Sequence, residues 1–330
     1  MFKDKVILAV GSTGSWGNEL TTQLLARRPK EVRIFSRGEI NQVAMQRKFR
    51  NLKLKFIIGD VRDVDCLMNA CKGTDYVFHL AALKHVPVCE EYPEEAIKTN
   101  ILGTKNLIEA AIANKVKKVV DVSTDKAVVP INLYGMTKAI GEKLILKADE
   151  NSDYTRFVVI RGGNALGSSG SVVPHFINQI AFENKVDLTD DRMTRYFLTL
   201  PEAVHLLFAA AESKISGGIF VMKMPSFRIL DIAKVLIDLK GKEDTKINIV
   251  GMRQGEKIDE VLVSRYEAPS AYEYSDKYYL IHNSTQNLPK VKFEEYTSAT
   301  CLSTDKESIL QLLEKGGFIS RCKNIGHVEK

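Results

Sequence analysis

The sequence predicts an α/β fold built on a doubly wound parallel sheet, with a smaller lobe toward its C-terminal end. Three observations carry this expectation. Strand-like and helix-like segments alternate through the first half of the chain. A glycine-rich loop, Gly11-Ser12-Thr13-Gly14-Ser15-Trp16-Gly17, follows the first apolar run and opens the first helical pattern. Residues that carry chemistry gather just past the ends of strand-like runs, where open parallel sheets bind their ligands.

The elements follow in order. Residues 5–10 form an apolar run that reads as a buried strand, and 18–27 read as a helix that stops before Pro29. Residues 31–35 alternate as a short strand, 41–49 read as helical, and 54–58 as a strand ahead of Gly59-Asp60. A helix at 64–71 and a strand at 76–80 come next, then one long helical pattern over 94–114. A strand at 116–122 leads into a helix at 133–147. After about residue 165 the pattern loosens into helices at 172–184, 203–211 and 229–239 and a strand at 217–221. The chain therefore divides into a sheet domain, residues 1–165 with later strands interleaved, and residues 166–330, mainly a substrate lobe and a C-terminal tail. The tail wraps from about residue 283 before a last helix at 306–316.

Composition narrows the function classes. The chain has 330 residues, 45% hydrophobic and 27% charged, with a net charge of +6, which is ordinary for a globular protein. No basic block or aromatic–basic array accompanies that charge, so a nucleic-acid partner is not expected. The first apolar run is too short for a signal sequence or a membrane span. The five cysteines, Cys66, Cys71, Cys89, Cys301 and Cys322, show no metal-binding or redox spacing. They read as reduced thiols in a cytoplasmic protein with no metal site and no membrane insertion. His79, inside an apolar run, reads as a packed histidine, as do His85 and His205 by default.

The glycine loop has a direct physical meaning. Glycines let the backbone turn tightly and approach a pyrophosphate, while the helix N-terminus offers N–H groups and a positive dipole end. Gly11, Thr13, Gly14, Ser15, Trp16 and Gly17 are thus candidate dinucleotide contacts. The second strand ends in Ser36-Arg37 rather than a carboxylate, which suits a ribose 2′-phosphate and favours NADP over NAD. Asp60 and Val61, ending the third strand, are placed to meet the adenine. Ala81, Ala82 and Lys84, ending the fourth, are placed near the nicotinamide ribose.

The densest chemistry lies between Val119 and Lys138. A strand-like run ends in Ser123-Thr124-Asp125-Lys126, and Tyr134 and Lys138 follow at an i,i+4 spacing that puts them on one helix face. A nearby cation lowers a phenol's pKa, so Lys138 is expected to make Tyr134 a proton acceptor toward a sugar hydroxyl while hydride moves to a nicotinamide. Thr124, Asp125 and Lys126 add a second acid–base group that simple alcohol oxidation does not need. The same tetrapeptide recurs at Ser303-Thr304-Asp305-Lys306. There Thr304 stands three residues before Glu307 and an apolar run, which reads as a capping box and not a site.

These strings carry a resemblance. The glycine loop with Tyr134-x-x-x-Lys138 resembles the extended short-chain dehydrogenase/reductase superfamily, which implies a Rossmann-like fold and makes residues 1–165 the NADP-binding domain. Phe35-Ser36-Arg37, Ala81-Ala-Leu-Lys-His-Val-Pro87, Ser123-Thr-Asp-Lys-Ala127, Pro130-Ile-Asn-Leu-Tyr-Gly135, Met193-Thr-Arg195 and Gly251-Met-Arg-Gln-Gly-Glu-Lys257 narrow it. Together they resemble the polysaccharide-biosynthesis branch, specifically the inverting UDP-N-acetylglucosamine 4,6-dehydratases. The resemblance implies that Tyr134 and Lys138 handle the 4-hydroxyl, Lys126 removes the C5 proton and Asp125 helps the 6-hydroxyl leave. To act as a base, Lys126 needs a depressed pKa. Lys84, Asn164, Thr194, Arg195, Arg253 and Glu256 become candidate substrate contacts, the arginines for a nucleotide diphosphate. A homo-oligomer, dimer or hexamer, is also implied.

Several positions depart from that pattern. Gly162 stands where the branch carries a large aromatic, Ser169 where it carries an arginine, and Trp16 where it carries a phenylalanine. The first change is expected to enlarge the substrate side of the site and the second to weaken the grip on a diphosphate. Two other readings compete: a nucleotide-sugar epimerase or reductase using Tyr134 and Lys138 alone, and a non-catalytic NADP-binding regulator.

Overall fold

The computed structural model describes residues 1–168, 170–284 and 287–319. Cys322 and the departure at Ser169 lie outside them. The first half alternates β1 (Val6–Val10), α1 (Ser15–Ala26), β2 (Glu31–Ser36), α2 (Glu39–Phe49), β3 (Leu54–Ile58), α3 (Val64–Cys71) and β4 (Tyr76–His79). Then come α4 (Val86–Glu91), α5 (Pro93–Ile97), a π-helical turn (Lys98–Leu102), α6 (Gly103–Ala113), β5 (Lys118–Thr124), α7 (Leu133–Glu150) and β6 (Arg156–Gly162). The second half holds β7 (Asn164–Ala165), α8 (Val172–Glu183), β8 (Lys185–Leu188), β9 (Thr194–Leu198), α9 (Leu200–Glu212), β10 (Ile219–Met222), β11 (Ser226–Arg228) and α10 (Ile229–Lys240). It ends with β12 (Lys246–Ile249), β13 (Val261–Val263), β14 (Ala271–Glu273), β15 (Tyr278–Ile281), β16 (Tyr296–Thr297) and α11 (Lys306–Lys315).

Among the described residues nine strands make the main sheet, in the order β14-β15-β10-β6-β5-β4-β1-β2-β3. From β3 to β10 every pairing is parallel, and β15 and β14 close the edge antiparallel. The order reverses between β1 and β4, so the crevice at the carboxyl ends of those strands is the natural ligand site. Strands β1 and β4 are buried along their whole length, as expected for a sheet covered on both faces. The sheet carries one apolar core. A second core joins α8, α10 and α11 around Val173, Phe176, Ile232, Leu236, Ile309 and Leu313. The main sheet takes β10, β14 and β15 from the second half of the chain, so the lobe is threaded between strands of the sheet.

Three local expectations change. The long helical pattern over 94–114 is two α-helices joined by the π turn Lys98–Leu102, and α4 precedes them with Pro87 in its first turn. The first helix begins at Ser15, inside the glycine loop. The cap of α11 is Asp305, whose carboxylate accepts from the backbone of Glu307 and Ser308, and not Thr304. The second copy of the tetrapeptide is structural all the same, because its aspartate ends in a cap.

Candidate active site

A cleft of about 700 Å³ opens at the carboxyl ends of β1, β4 and β5. It is lined by Gly11, Gly14, Ser15, Trp16 and Gly17 from the first loop, and by Ala82 and Lys84 after β4. Thr124, Lys126, Tyr134 and Asn164 line it from the other side.

The glycine loop fits a dinucleotide. Gly11 sits at φ +75°, and a Cβ there would lie 2.4 Å from the Ala81 Cα. A Cβ on Gly17 would lie 1.8 Å from the Ser12 carbonyl oxygen, so loop and helix can approach only without one. Over Gly14, by contrast, no atom lies within 4 Å, and Gly14 caps α1 with no side-chain bond. A helix N-terminus thus faces open space, the arrangement that receives a phosphate. Thr13 and Ala81 lie in the loops flanking this space, though off the cleft wall; the Thr13 carbonyl accepts from Asn18 at 3.1 Å.

The outer residues form their own network. Ser36 is buried, and its hydroxyl accepts from Gln42 at 3.0 Å. Arg37 is half exposed, 3.9 Å from Asp60, which Arg62 holds much closer at 2.6 Å. Burial pushes the Asp60 carboxyl up, but Arg62 overrules it and holds it below the usual range. Val61 is buried under Gly103 at the start of α6.

The catalytic candidates meet at the end of β5. Asp125 is buried, and its Oδ1 accepts from the Thr124 hydroxyl at 2.9 Å and from the Lys126 ammonium at 3.0 Å. Asn132 caps α7 by accepting from Gly135, and this first turn presents Tyr134 to the cleft. A Cβ on Gly135 would lie 2.1 Å from the Lys126 carbonyl oxygen, so the helix start packs directly on the Asp125–Lys126 turn.

Two expectations about protons are overturned. Burial pushes the Tyr134 phenol up to about 12, against the opposing pull of Lys126 and a Thr124 hydrogen bond. The cation that acts on it is Lys126, because the register of α7 turns Lys138 into the sheet. The Lys138 ammonium lies 3.3 Å from Asp121, and both are buried. Burial also raises the Asp121 carboxyl. His79 lies 3.9 Å away and is held neutral, with burial dropping it to about 3. Lys126 likewise departs from the depressed pKa expected of a base. Burial works against its charge, yet Asp125 and Glu260 overrule it and lift the ammonium above the usual lysine range.

Glu260 was not singled out from sequence. It is 2% exposed, with Oε1 3.4 Å from the Lys126 ammonium and 3.7 Å from the Arg195 guanidinium. Its sequence signal is thin: it follows the Gly251–Lys257 string by three residues. Asp121 had a plainer one, a charge inside an apolar strand.

The candidate substrate residues are not gathered evenly. Asn164 reaches the cleft and Lys84 stands on its rim. Arg195 is buried, donating to the carbonyls of Thr194, Ile258 and Lys257, so its guanidinium is engaged within the protein and not free for a diphosphate. Thr194 is buried on Asp259 and Ser298. Glu256 closes its own turn by accepting from the Arg253 backbone, which leaves the Arg253 side chain exposed on that loop. Gly162 does not simply enlarge the site. Trp16 lies against it, 3.6 Å from where a Cβ would be, so the larger ring at 16 takes up room beside the missing side chain at 162.

Among the described residues no group of three His, Cys, Asp or Glu is arranged to hold a metal, and no helix is long and apolar enough to cross a membrane.

Comparison with known proteins agrees with this geometry. A family model described as "Polysaccharide biosynthesis protein" matches residues 7–282. The UDP-glucose 4-epimerase of Rickettsia bellii (strain RML369-C) is 44% identical over 330 residues, covering 95% of this chain and 96% of that one. The solved structure of Pen from Bacillus thuringiensis is 39% identical with a TM-score of 0.91, covering 97% of this chain and all of that one. DesIV, a dTDP-glucose 4,6-dehydratase from Streptomyces venezuelae solved with NAD and TYD, shares the fold at a TM-score of 0.70 and 21% identity, over 77% of this chain and 86% of its own. With the glycine loop, the Tyr134–Lys138 helix and a family match over most of its length, the chain belongs to the polysaccharide-biosynthesis branch of the extended short-chain dehydrogenase/reductase superfamily.

Proposed function

We propose that this protein is an NADP-dependent UDP-N-acetylglucosamine 4,6-dehydratase that inverts C5, a lyase making a UDP-4-keto-6-deoxy amino sugar for surface polysaccharide or protein glycosylation. The observation that carries this reading is the Lys126 ammonium, which lines the cleft together with Tyr134 and is bonded at 3.0 Å to the Asp125 carboxyl buried behind the wall. Oxidation and reduction at C4 alone need a phenol. A second acid–base group in the same cleft is what removal of water requires.

The residues divide the work as follows. A nicotinamide dinucleotide bound along the glycine loop supplies a hydride acceptor for C4 and, once reduced, a hydride donor for C6. Tyr134 takes the proton of the 4-hydroxyl as its own passes to the Thr124 hydroxyl bonded to it and on to the Asp125 carboxylate, with the Lys126 ammonium beside it. Lys126, after giving up a proton to solvent in the cleft that it lines, removes the C5 proton, which the new 4-ketone has made acidic. Asp125 protonates O6, so the C6–O bond breaks and water leaves; its Oδ2 has no partner among the described residues. Solvent returns a proton to C5 on the opposite face. Lys138, held by Asp121, ties α7 to β5 behind the cleft. Arg37, exposed and only loosely paired, favours NADP, although DesIV was solved with NAD.

A second reading, a nucleotide-sugar 4-epimerase, is favoured by the names of the Rickettsia relatives. Incubation with UDP-N-acetylglucosamine and NADP in deuterated water separates the two. Loss of one water with deuterium at C5 is expected; a product of unchanged mass identifies the epimerase. Neither product, with the cofactor still bound, leaves the non-catalytic regulator.

A homo-oligomer is part of this proposal. Tyr92, Ile97, Leu102, Met136 and Ile140 leave apolar side chains exposed on the layer from α4 to α7. A second copy is the partner we assign to that layer.

A further inference from the structure

We propose that Glu260 is a positioning residue of the active site: it holds Lys126 as an ammonium at the cleft wall and sets the pH at which that side chain gives up its proton. The inference rests on the assignment of Lys126 to the reacting site, and it deepens that assignment.

The geometry is specific. Lys126 is the link between the cleft, which it lines, and a charged cluster behind the wall. On one side of its ammonium stands Asp125, from its own turn, at 3.0 Å. On the other stands Glu260 at 3.4 Å, from the loop leading into β13. The remaining charged or titratable groups around it are Tyr134 from α7, Arg195 from β9 and Lys257 from the same loop as Glu260. Arg195 and Lys257 are fixed on backbone carbonyls, Lys257 on that of Val128 at 2.7 Å. Neither cation can therefore swing over to replace Lys126.

Glu260 itself is built in rigidly. Its backbone N–H donates to the Ser298 hydroxyl at 2.8 Å, and its carbonyl accepts from the Ser298 backbone at 2.8 Å. Ser298 is in turn bonded to Thr194 and Ser226. The Oε2 atom is buried with no hydrogen-bond partner among the described residues. A buried carboxylate with a vacant oxygen is costly unless a charge partner compensates it. Of the cations around it, Lys126 is the nearest and lines the cleft, whereas Arg195 at 3.7 Å and Lys257 do not. The conflict between a lysine that must act as a base and one held as a cation is thereby located in one removable charge. In Glu260→Gln only Asp125 would hold the proton on Lys126, and the amine would be released at lower pH.

The test reads Lys126 directly. The protein is acylated with a small amine-reactive ester across a range of pH, and modification at Lys126 is followed by peptide mass spectrometry. In the wild type, Lys126 should react only at pH values above those of exposed lysines. In Glu260→Gln its labelling at pH 8 should rise by about tenfold or more, one pKa unit. Glu260→Asp, whose carboxylate is drawn back by one methylene, should fall between. Binding of NADP, read from the fluorescence of the single tryptophan, Trp16, should stay within about twofold, because it does not involve this proton. A wild-type Lys126 that labels like an exposed lysine overturns the inference without any variant. So does an unchanged profile in a folded Glu260→Gln. If the profile shifts while neither protein removes water from UDP-N-acetylglucosamine, the dehydratase reading falls and the role of Glu260 stands.

Discussion

At the scale of single residues, the sharpest control is the contrast among three glycines of one loop. Gly11 and Gly17 are glycines because backbone atoms occupy the Cβ position, whereas Gly14 is one where space is open. Gly17→Ala should therefore lower stability to urea by more than about 2 kcal/mol, as overpacking against backbone does. Gly14→Ala should leave unfolding unchanged and weaken binding of the nicotinamide dinucleotide, read by titrating Trp16 fluorescence. Equal effects at both positions would remove the phosphate assignment. Tyr134 gives the companion prediction. Tyr134→Phe should cut turnover by about a hundredfold or more while Trp16 still reports cofactor binding. The tyrosine and its neighbours were readable from a local string. The identity of the cation acting on it was not, because Lys138 meets Asp121 only when strand and helix are packed together.

At the scale of elements, the contact between α7 and the main sheet is unusually charged. Arg161 on β6 donates to Glu142 on α7 and to Glu267, and Ser123 on β5 donates to Glu142 at 2.5 Å. Removing the guanidinium strands carboxylates in the core. Arg161→Met is expected to cost about 3–5 kcal/mol in chemical denaturation, more than its loss of apolar contact would explain. Lys118 at the start of β5 gives a pH signature. Burial, opposed by Asp149, lowers its ammonium to about 8. Between that value and 10.5 the unfolded chain binds more protons than the folded one. Stability contributed by this group is absent below that window and grows as pH rises through it, by up to about 3 kcal/mol. Comparing wild type with Lys118→Met at the two ends of the window should show the rise only in the wild type. The helical pattern over 94–114 teaches the same lesson about elements. Its periodicity identified a helix, but not the π turn that shifts α5 relative to α6 and carries Asn100 against Thr137 of α7 at 2.9 Å.

At the scale of the whole molecule, the crevice exists because the sheet reverses between β1 and β4, while the lobe closes over it from the second half. The exposed apolar layer of α4 to α7 is the surface on which the proposed oligomer depends. Met136→Glu with Ile140→Glu, both outside the reacting cluster, should lower the mass seen by analytical ultracentrifugation. A wild type that sediments as a monomer at micromolar concentration would sink that proposal.

By itself the sequence determined the alternation of strands and helices, the glycine loop and the order of the candidate reacting side chains, since each depends on neighbours a few residues apart. Only the tertiary structure decided that Lys138 faces Asp121, that Arg195 turns inward and that Glu260 stands behind Lys126. Those are meetings between residues as far apart as 134 positions, from Lys126 to Glu260, and their energies depend on burial. Burial is a property of packed elements, so the charge state of Lys126 and Tyr134 could not be read from the strings that contain them.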